Sequence, residues 1–264
     1  MQLPDLDIGV VYTGEVALMP RLLSTMSASG EGLQMRLVLV DNASSDGVEP
    51  WRAYFPETLV LRNERRLGYA ANLNRVLDAS AARYVLLMNT DMYFDPRQQC
   101  LWRMVALMDE QPRCGVAGCR LYHADGADAR AARRFPTPLL ILARRCGLGH
   151  LLGRSLDRHF YAEHAADETW PCDWLSGCFL MVRRAAMQSV GHLDEGYGKY
   201  FEDVDFCLRM ARAGWQVIYH GATSCYHLEC RASRNPFSAD AWIHVRAYLR
   251  WLRRWGLHPA PATP

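Results

Sequence analysis

Acids at Asp41, Asp91, Glu202 and Asp203 and a histidine at His227 lie far apart in the chain, yet they are the residue types that metal-assisted group transfer needs. Asp91 closes Asn89-Thr90-Asp91 directly after an apolar run. Alone, such an acid is an ordinary turn former. Beside a diphosphate, a single carboxylate is a natural Mg²⁺ or Mn²⁺ ligand, because the substrate supplies other oxygens. The ion would neutralise charge on a departing diphosphate. His227 would complete a mixed oxygen and nitrogen site, and Arg231 and Arg234 just beyond it are suited to gripping phosphate as bidentate donors. Glu202 and Asp203 precede a helical pattern, where an acid is first of all a helix cap. The preceding Gly-Tyr-Gly-Lys-Tyr-Phe at 196–201 puts aromatic walls beside them, an environment that raises a carboxylate pKa towards the range of a general base.

These residues need elements to carry them. Ile8–Tyr12 and Leu37–Val40 read as buried strands, with helical spacing from Val16 to Ser29 between them. Leu59–Arg62, Tyr69–Ala79 and Arg83–Met88 repeat strand, helix, strand, so a mostly parallel sheet flanked by helices is expected. In open α/β sheets the ligand crevice lies outside the carboxyl ends of the strands. That rule alone places Thr13, Asp41 and Asp91 at one rim, where Asp41 would accept hydrogen bonds from a ribose or base. A helix at about Gln98–Glu110 follows, then an irregular Arg-rich stretch from Arg130 to Asp167, expected to be a mobile insertion over the site. Trp174–Val182 reads as a strand, Val204–Ala213 as a helix and Gln216–Tyr219 as the last strand, with His227 a few residues past it.

The 264 residues suit one large α/β domain, and a net charge of +2 is too small to hold nucleic acid over a broad face. The nine cysteines are scattered through apolar stretches, as free thiols in a reducing compartment would be. Cys114 with Cys119, and Cys225 with Cys230, lack zinc-knuckle spacing. The start has no basic leader, and no run approaches the roughly 20 apolar residues of a membrane span, so a cytoplasmic protein is expected.

Val-Asp-Asn-Ala-Ser-Ser-Asp-Gly at 40–47, Asn63 with Leu-Gly-Tyr-Ala-Ala-Asn-Leu-Asn at 67–74, Met-Asn-Thr-Asp at 88–91, Trp-Leu-Ser-Gly at 174–177 and Phe-Glu-Asp-Val-Asp-Phe-Cys-Leu-Arg at 201–209 form an ordered set. Across Ile8 to Ser233 it resembles the inverting glycosyltransferase family 2, GT-A fold, in its bacterial rhamnosyltransferase-like branch. The resemblance implies one GT-A (Rossmann-like) domain over 1–235, with a nucleotide-sugar half at 1–125, the insertion at 126–170 and an acceptor and catalytic half at 171–235. It implies that Asp41 reads a pyrimidine, that Tyr12, Thr13, Asn42, Asn63, Gly68, Asn72, Asn74, Asn89 and Thr90 belong to the nucleotide-sugar pocket, and that Asp91 and His227 meet the metal. Trp174, Leu175, Ser176 and Gly177 would line the sugar and acceptor pocket, and Asp203, beside Glu202, would be the base. The usual first acid of the metal motif is Asn89 here, and Tyr12-Thr13-Gly14-Glu15 replaces the commoner loop after the first strand.

The branch points to dTDP-rhamnose, with UDP-linked donors as the neighbouring option, and to a glycan or lipid-linked acceptor. Residues 236–264 read as a basic amphipathic helix and tail. Trp242, Val245, Leu249 and Leu252 form one stripe among Arg246, Arg250, Arg253 and Arg254, fitting either peripheral contact with the inner membrane face or docking on the core. Two rival functions stay open: an inactive nucleotide-sugar-binding partner protein, and a nucleotidyltransferase.

Overall fold

The computed structural model describes residues 4–55, 57–145, 152–228, 239–257 and 259. Strands β1 (Leu6–Tyr12), β2 (Met35–Asp41), β3 (Thr58–Arg62) and β4 (Tyr84–Met88) pair in the parallel order β3-β2-β1-β4, with Tyr12 opposite Asp41. Every residue of β4 is buried, as a central strand covered on both faces requires. Helices α1 (Met19–Ser29, with Pro20 in its first turn) and α2 (Tyr69–Ala79) make the crossovers. A Cβ on Gly9 of β1 would lie 2.3 Å from a methyl of Val76, so the glycine lets α2 approach the sheet and sets where Gly68 and Tyr69 emerge at the rim.

Beyond β4 the sheet turns mixed. After β5 (Met92–Tyr93), α3 (Cys100–Glu110) and β6 (Cys114–Tyr122), the chain passes through β7 (Ala132–Arg133), α4 (Pro138–Arg145), α5 (Gly153–His159), β8 (Thr169–Pro171) and β9 (Trp174–Leu175). It re-enters the sheet as β10 (Phe179–Arg183), antiparallel between β4 and β6. Helices α6 (Arg184–Val190) and α7 (Glu202–Arg212) lead to β11 (Gln216–His227), parallel to β6 and antiparallel to β5 and β8. Helix α8 (Ala239–Trp255) closes the described chain.

Three expectations change. Trp174–Val182 is not one strand: it breaks at Ser176-Gly177-Cys178 between β9 and β10. β11 runs eight residues further than Tyr219, through a register shift between His220 and Ser224, so His227 is its last residue rather than a loop residue beyond it. Helix α8 docks on the core through Ala247, Tyr248 and Trp251, while Trp242 and Leu249 of the expected apolar stripe stay 66% and 46% exposed. The larger aromatic surface lay on the other face, and burial follows area.

The arginine-rich stretch is tied to the body where it is described. β7 pairs with β9, the Trp174 indole donates to the Arg134 carbonyl at 2.9 Å, and Asp173 accepts from the Phe135 N–H at 2.9 Å and the Tyr161 hydroxyl at 3.1 Å.

Candidate active site

The rim formed by β1, β2 and β3 is held by an amide network. Asn42 Oδ1 accepts from the Leu67 N–H at 2.8 Å and from Asn63 Nδ2 at 2.8 Å, and Asn63 Nδ2 also reaches Asn72 Oδ1 at 2.6 Å. Asn72 Nδ2 donates to the Gly68 carbonyl at 3.0 Å, and Asn74 exchanges hydrogen bonds with the Leu193 backbone at 3.0 and 2.9 Å. Buried amides bonded this fully leave little capacity for a ligand, so they shape the crevice wall. Asp41 is buried at the end of β2, where its Oδ1 accepts from the Ser44 N–H at 2.9 Å and turns the following loop. Tyr12 donates to Asp46 across the same loop, and the Thr13 N–H is bound by Glu15 at 2.7 Å.

Past β4, Asn89 Oδ1 accepts from the Tyr69 hydroxyl at 2.7 Å, and its N–H donates to the Cys178 carbonyl at 3.1 Å. Thr90 is buried beside it, and Asp91 Oδ1 faces His227 Nε2 at 3.2 Å. Burial alone would lower the His227 pKa, but the Asp91 carboxylate and the Cys178 side chain beside the ring reverse this and lift it to about 10. Pairing of β11 with β5 sets His227 opposite Met92, one residue past Asp91, which explains why the histidine and the acid meet.

The break between β9 and β10 joins this half to the second pair of acids. The Gly177 N–H donates to Asp203 Oδ2 at 2.8 Å, and the Val204 N–H to Asp203 Oδ1 at 2.8 Å. A Cβ on Gly177 would sit 3.1 Å from Asp203 Cβ and Oδ2, tight enough that the carboxylate would have to shift by a few tenths of an ångström. The next residue, Cys178, contacts both Asn89 and His227, and thus Gly177-Cys178 connects Asp203 to the residues around Asp91. Of the other residues expected here, Trp174 and Leu175 are buried and Ser176 Oγ lies 3.4 Å from the Cys178 sulfur.

Burial raises the Asp203 pKa, offset only in part by the two N–H donors and the positive charge of Arg133. Burial and then the charge of Asp203 push Glu202 up to about 8. Glu202 is 5% exposed and its Oε2 has no hydrogen-bond partner among the described residues. Neither acid precedes the helix as a cap: both lie in the first turn of α7, after the cap residue Phe201. Tyr200 and Phe201 hold left-handed backbones at φ 70° and 67°, a strain of roughly 1–3 kcal/mol each for side chains other than glycine. The rings of His244, Tyr248 and Trp251 on α8 pack against Phe201 and hold it there.

Tyr69 registers the convergence. Its phenol is held well above its ordinary pKa by burial, then by its nearness to Glu202, Cys178, Asp91 and Asp203. Sequence reasoning gave Tyr69 only as the start of a helix and singled out neither Cys178 nor Arg133. The signal for Tyr69 was its place after Leu67-Gly68 in a quoted motif; nothing local marked the other two. Arg231 and Arg234 lie outside the described residues.

A divalent ion fits this site chemically. Asp91 offers an oxygen and His227, once an ion displaces its ring proton, a nitrogen 3.2 Å away, both mostly buried. Among the described residues no three His, Cys, Asp or Glu side chains form a metal cage. An ion held there would draw its other ligands from a substrate diphosphate and water.

The family described as Glycosyl transferase family 2 matches residues 7–191. Over 251 residues the chain is 30% identical to N-acetylglucosaminyl-diphospho-decaprenol L-rhamnosyltransferase of Mycobacterium tuberculosis, covering 87% of this chain and 78% of that protein. Its fold is similar to the mannosyltransferase PcManGT from Pyrobaculum calidifontis in complex with GDP-Man and Mn²⁺, with a TM-score of 0.62 at 17% identity over 97% of this chain and 73% of that one. It is also similar to S. aureus TarS 1–349, with a TM-score of 0.58 at 16% identity over 84% of this chain, which spans 60% of that one. The mixed sheet, its helical layers and these likenesses agree on a GT-A architecture, and the chain belongs to glycosyl transferase family 2 as a glycosyltransferase.

Proposed function

We propose that this glycosyltransferase moves a sugar, with rhamnose the first choice, from a dTDP- or UDP-linked donor to a hydroxyl of a glycan carried on a lipid diphosphate. The observation that supports the reading is the buried pair Glu202 and Asp203, connected through Gly177, Cys178 and Tyr69 to Asn89, Asp91 and His227. The choice of sugar and acceptor follows the relative from Mycobacterium tuberculosis, whose name states an L-rhamnosyl transfer to a diphospho-decaprenol.

In this reading Asp203 takes the proton from the acceptor hydroxyl as that oxygen attacks the anomeric carbon opposite the diphosphate, so configuration inverts in one displacement. The Gly177 and Val204 N–H groups fix the carboxylate, and its raised pKa improves it as a base. Glu202, protonated up to about pH 8, leaves Asp203 as the charged member of the pair. The rim around Asp41 takes the base and ribose, with Asn89 and Thr90 turning the chain so that Asp91 faces the diphosphate. Asp91 and His227 would hold Mg²⁺ or Mn²⁺, which supplies charge neutralisation at the leaving diphosphate when bound.

Among the described residues no helix is long and apolar enough to cross a membrane. The exposed Trp242 and Leu249 beside Arg246 and Arg253 suit peripheral contact of α8 with an anionic inner membrane face. Flotation with anionic liposomes tests that point: equal recovery with and without these side chains removes it.

The function is tested by incubating the protein with dTDP-rhamnose, UDP-sugars and GDP-sugars, a lipid-diphosphate-linked N-acetylglucosamine, and Mg²⁺ or Mn²⁺. Glycosylated lipid with stoichiometric nucleoside diphosphate is expected. Release of pyrophosphate would indicate nucleotidyl transfer, and nucleotide-sugar binding without turnover would indicate a partner protein.

A further inference from the structure

An open groove of about 1140 Å³ runs between α8 and the loop Glu195–Lys199, with Leu67, Gly68 and Tyr69 at its wall. Its α8 wall presents Arg246, Arg250, Arg253 and Arg254, with Ile243 and Leu249 among them. Arg250 is tied to Asp194 at 3.0 Å, and Arg254 to Asp194 at 2.6 Å and Asp205 at 3.3 Å. Arg246 and Arg253 have no ion pair among the described residues and both are exposed.

The groove is therefore cationic and apolar at once. Ile243 and Leu249 are 38% and 46% exposed along it, and they continue into the exposed Trp242 and Leu257 at the two ends of the helix. A free nucleotide would have no use for such a wall, whereas an isoprenyl diphosphate has both an anionic head and an apolar tail. The position agrees. The groove is lined by Glu195–Lys199, the loop that leads into Glu202 and Asp203, and neither Asp41 nor Asp91 is among its lining residues.

We propose that this groove is the subsite for the acceptor's diphosphate and the first isoprene units. Arg246 and Arg253 bind the diphosphate oxygens while Ile243 and Leu249 cover the chain, so the attached sugar is delivered to Asp203. The assignment rests on the lipid-diphosphate acceptor proposed above, and it is tested by binding so that the two can fail separately.

The test titrates the full chain with farnesyl diphosphate, inorganic pyrophosphate, farnesol and dTDP, in wild type and in the Arg246→Glu/Arg253→Glu double variant, with thermal melts to confirm folding. Farnesyl diphosphate is expected to bind at least tenfold tighter than pyrophosphate or farnesol, without competition from dTDP. The double variant should weaken it at least tenfold and leave dTDP affinity within twofold. A milder Arg246→Gln/Arg253→Gln variant serves if the first does not fold. Equal binding by variant and wild type overturns the proposal, as does competition with dTDP, which would make the groove a donor site. Pyrophosphate binding as tightly as farnesyl diphosphate also overturns it, leaving an anion site only. If the groove behaves as expected but no lipid-linked acceptor is glycosylated, the proposed function fails and the subsite stands.

Discussion

Asp7 and Glu202 are both buried carboxylates, and they sit at opposite ends of the sheet. Asp7, at the start of β1, accepts from Arg36 Nε and Nη2 at 2.7 and 2.9 Å, from the Ser80 hydroxyl at 2.6 Å and from the Ala81 and Ala82 N–H groups at 2.8 and 3.0 Å. Burial alone would raise its pKa, but these partners overcome it and the pKa is lowered. Glu202 has an unpartnered oxygen among the described residues and a like charge beside it, and its pKa goes up. The first acid ties strand, helix and loop together. The second is held in a state that a folded protein, judged on stability alone, would avoid, and that is where chemistry is expected.

The contrast can be broken from either end. Asp7→Ala would strand Arg36, Ser80 and two N–H groups, and should reduce unfolding free energy by roughly 3–5 kcal/mol in urea denaturation, with activity per folded molecule unchanged. An unaltered midpoint would show that the network is not structural.

Gly177→Ala acts at the other end. Its Cβ would press on Asp203 at 3.1 Å, and a displaced base should lower kcat about 10²-fold, while nucleotide binding by calorimetry stays as in wild type. Wild-type kcat would mean that the contact does not position the base.

Glu202→Gln should change pH dependence more than activity. With a folded pKa of about 8 against an ordinary 4.5, the folded state holds the proton more tightly. The stabilisation from that proton is full below about pH 4.5 and lost as pH rises to about 8. Wild type should therefore lose on the order of 5 kcal/mol relative to the glutamine variant across that window. Parallel stability curves would contradict the assignment.

The nucleotide-side half was the more legible in sequence. Leu37–Val40 and Arg83–Met88 are apolar runs ending in acids, and Tyr69–Ala79 carries helical spacing, so local pattern coincided with tertiary position. The second half was not, because its arrangement depends on partners distant in the chain. Nothing local announces that β10 enters antiparallel between β4 and β6, or that β11 continues through a register shift to bring His227 beside Asp91. Ser176-Gly177-Cys178 looked like the middle of a strand because its neighbours are apolar, whereas its backbone leaves the sheet to hold Asp203 and Asn89. On α8, two apolar faces compete, and the one carrying Tyr248 and Trp251 took the core.

The central claim is that Asp203 is the base and not merely a buried acid at the start of α7. The direct measurement is single-turnover sugar transfer by Asp203→Asn, at saturating donor and acceptor, alongside the variant's donor affinity. Transfer reduced by about 10²–10⁴-fold with unchanged donor affinity is the predicted result. Transfer at near the wild-type rate would contradict it.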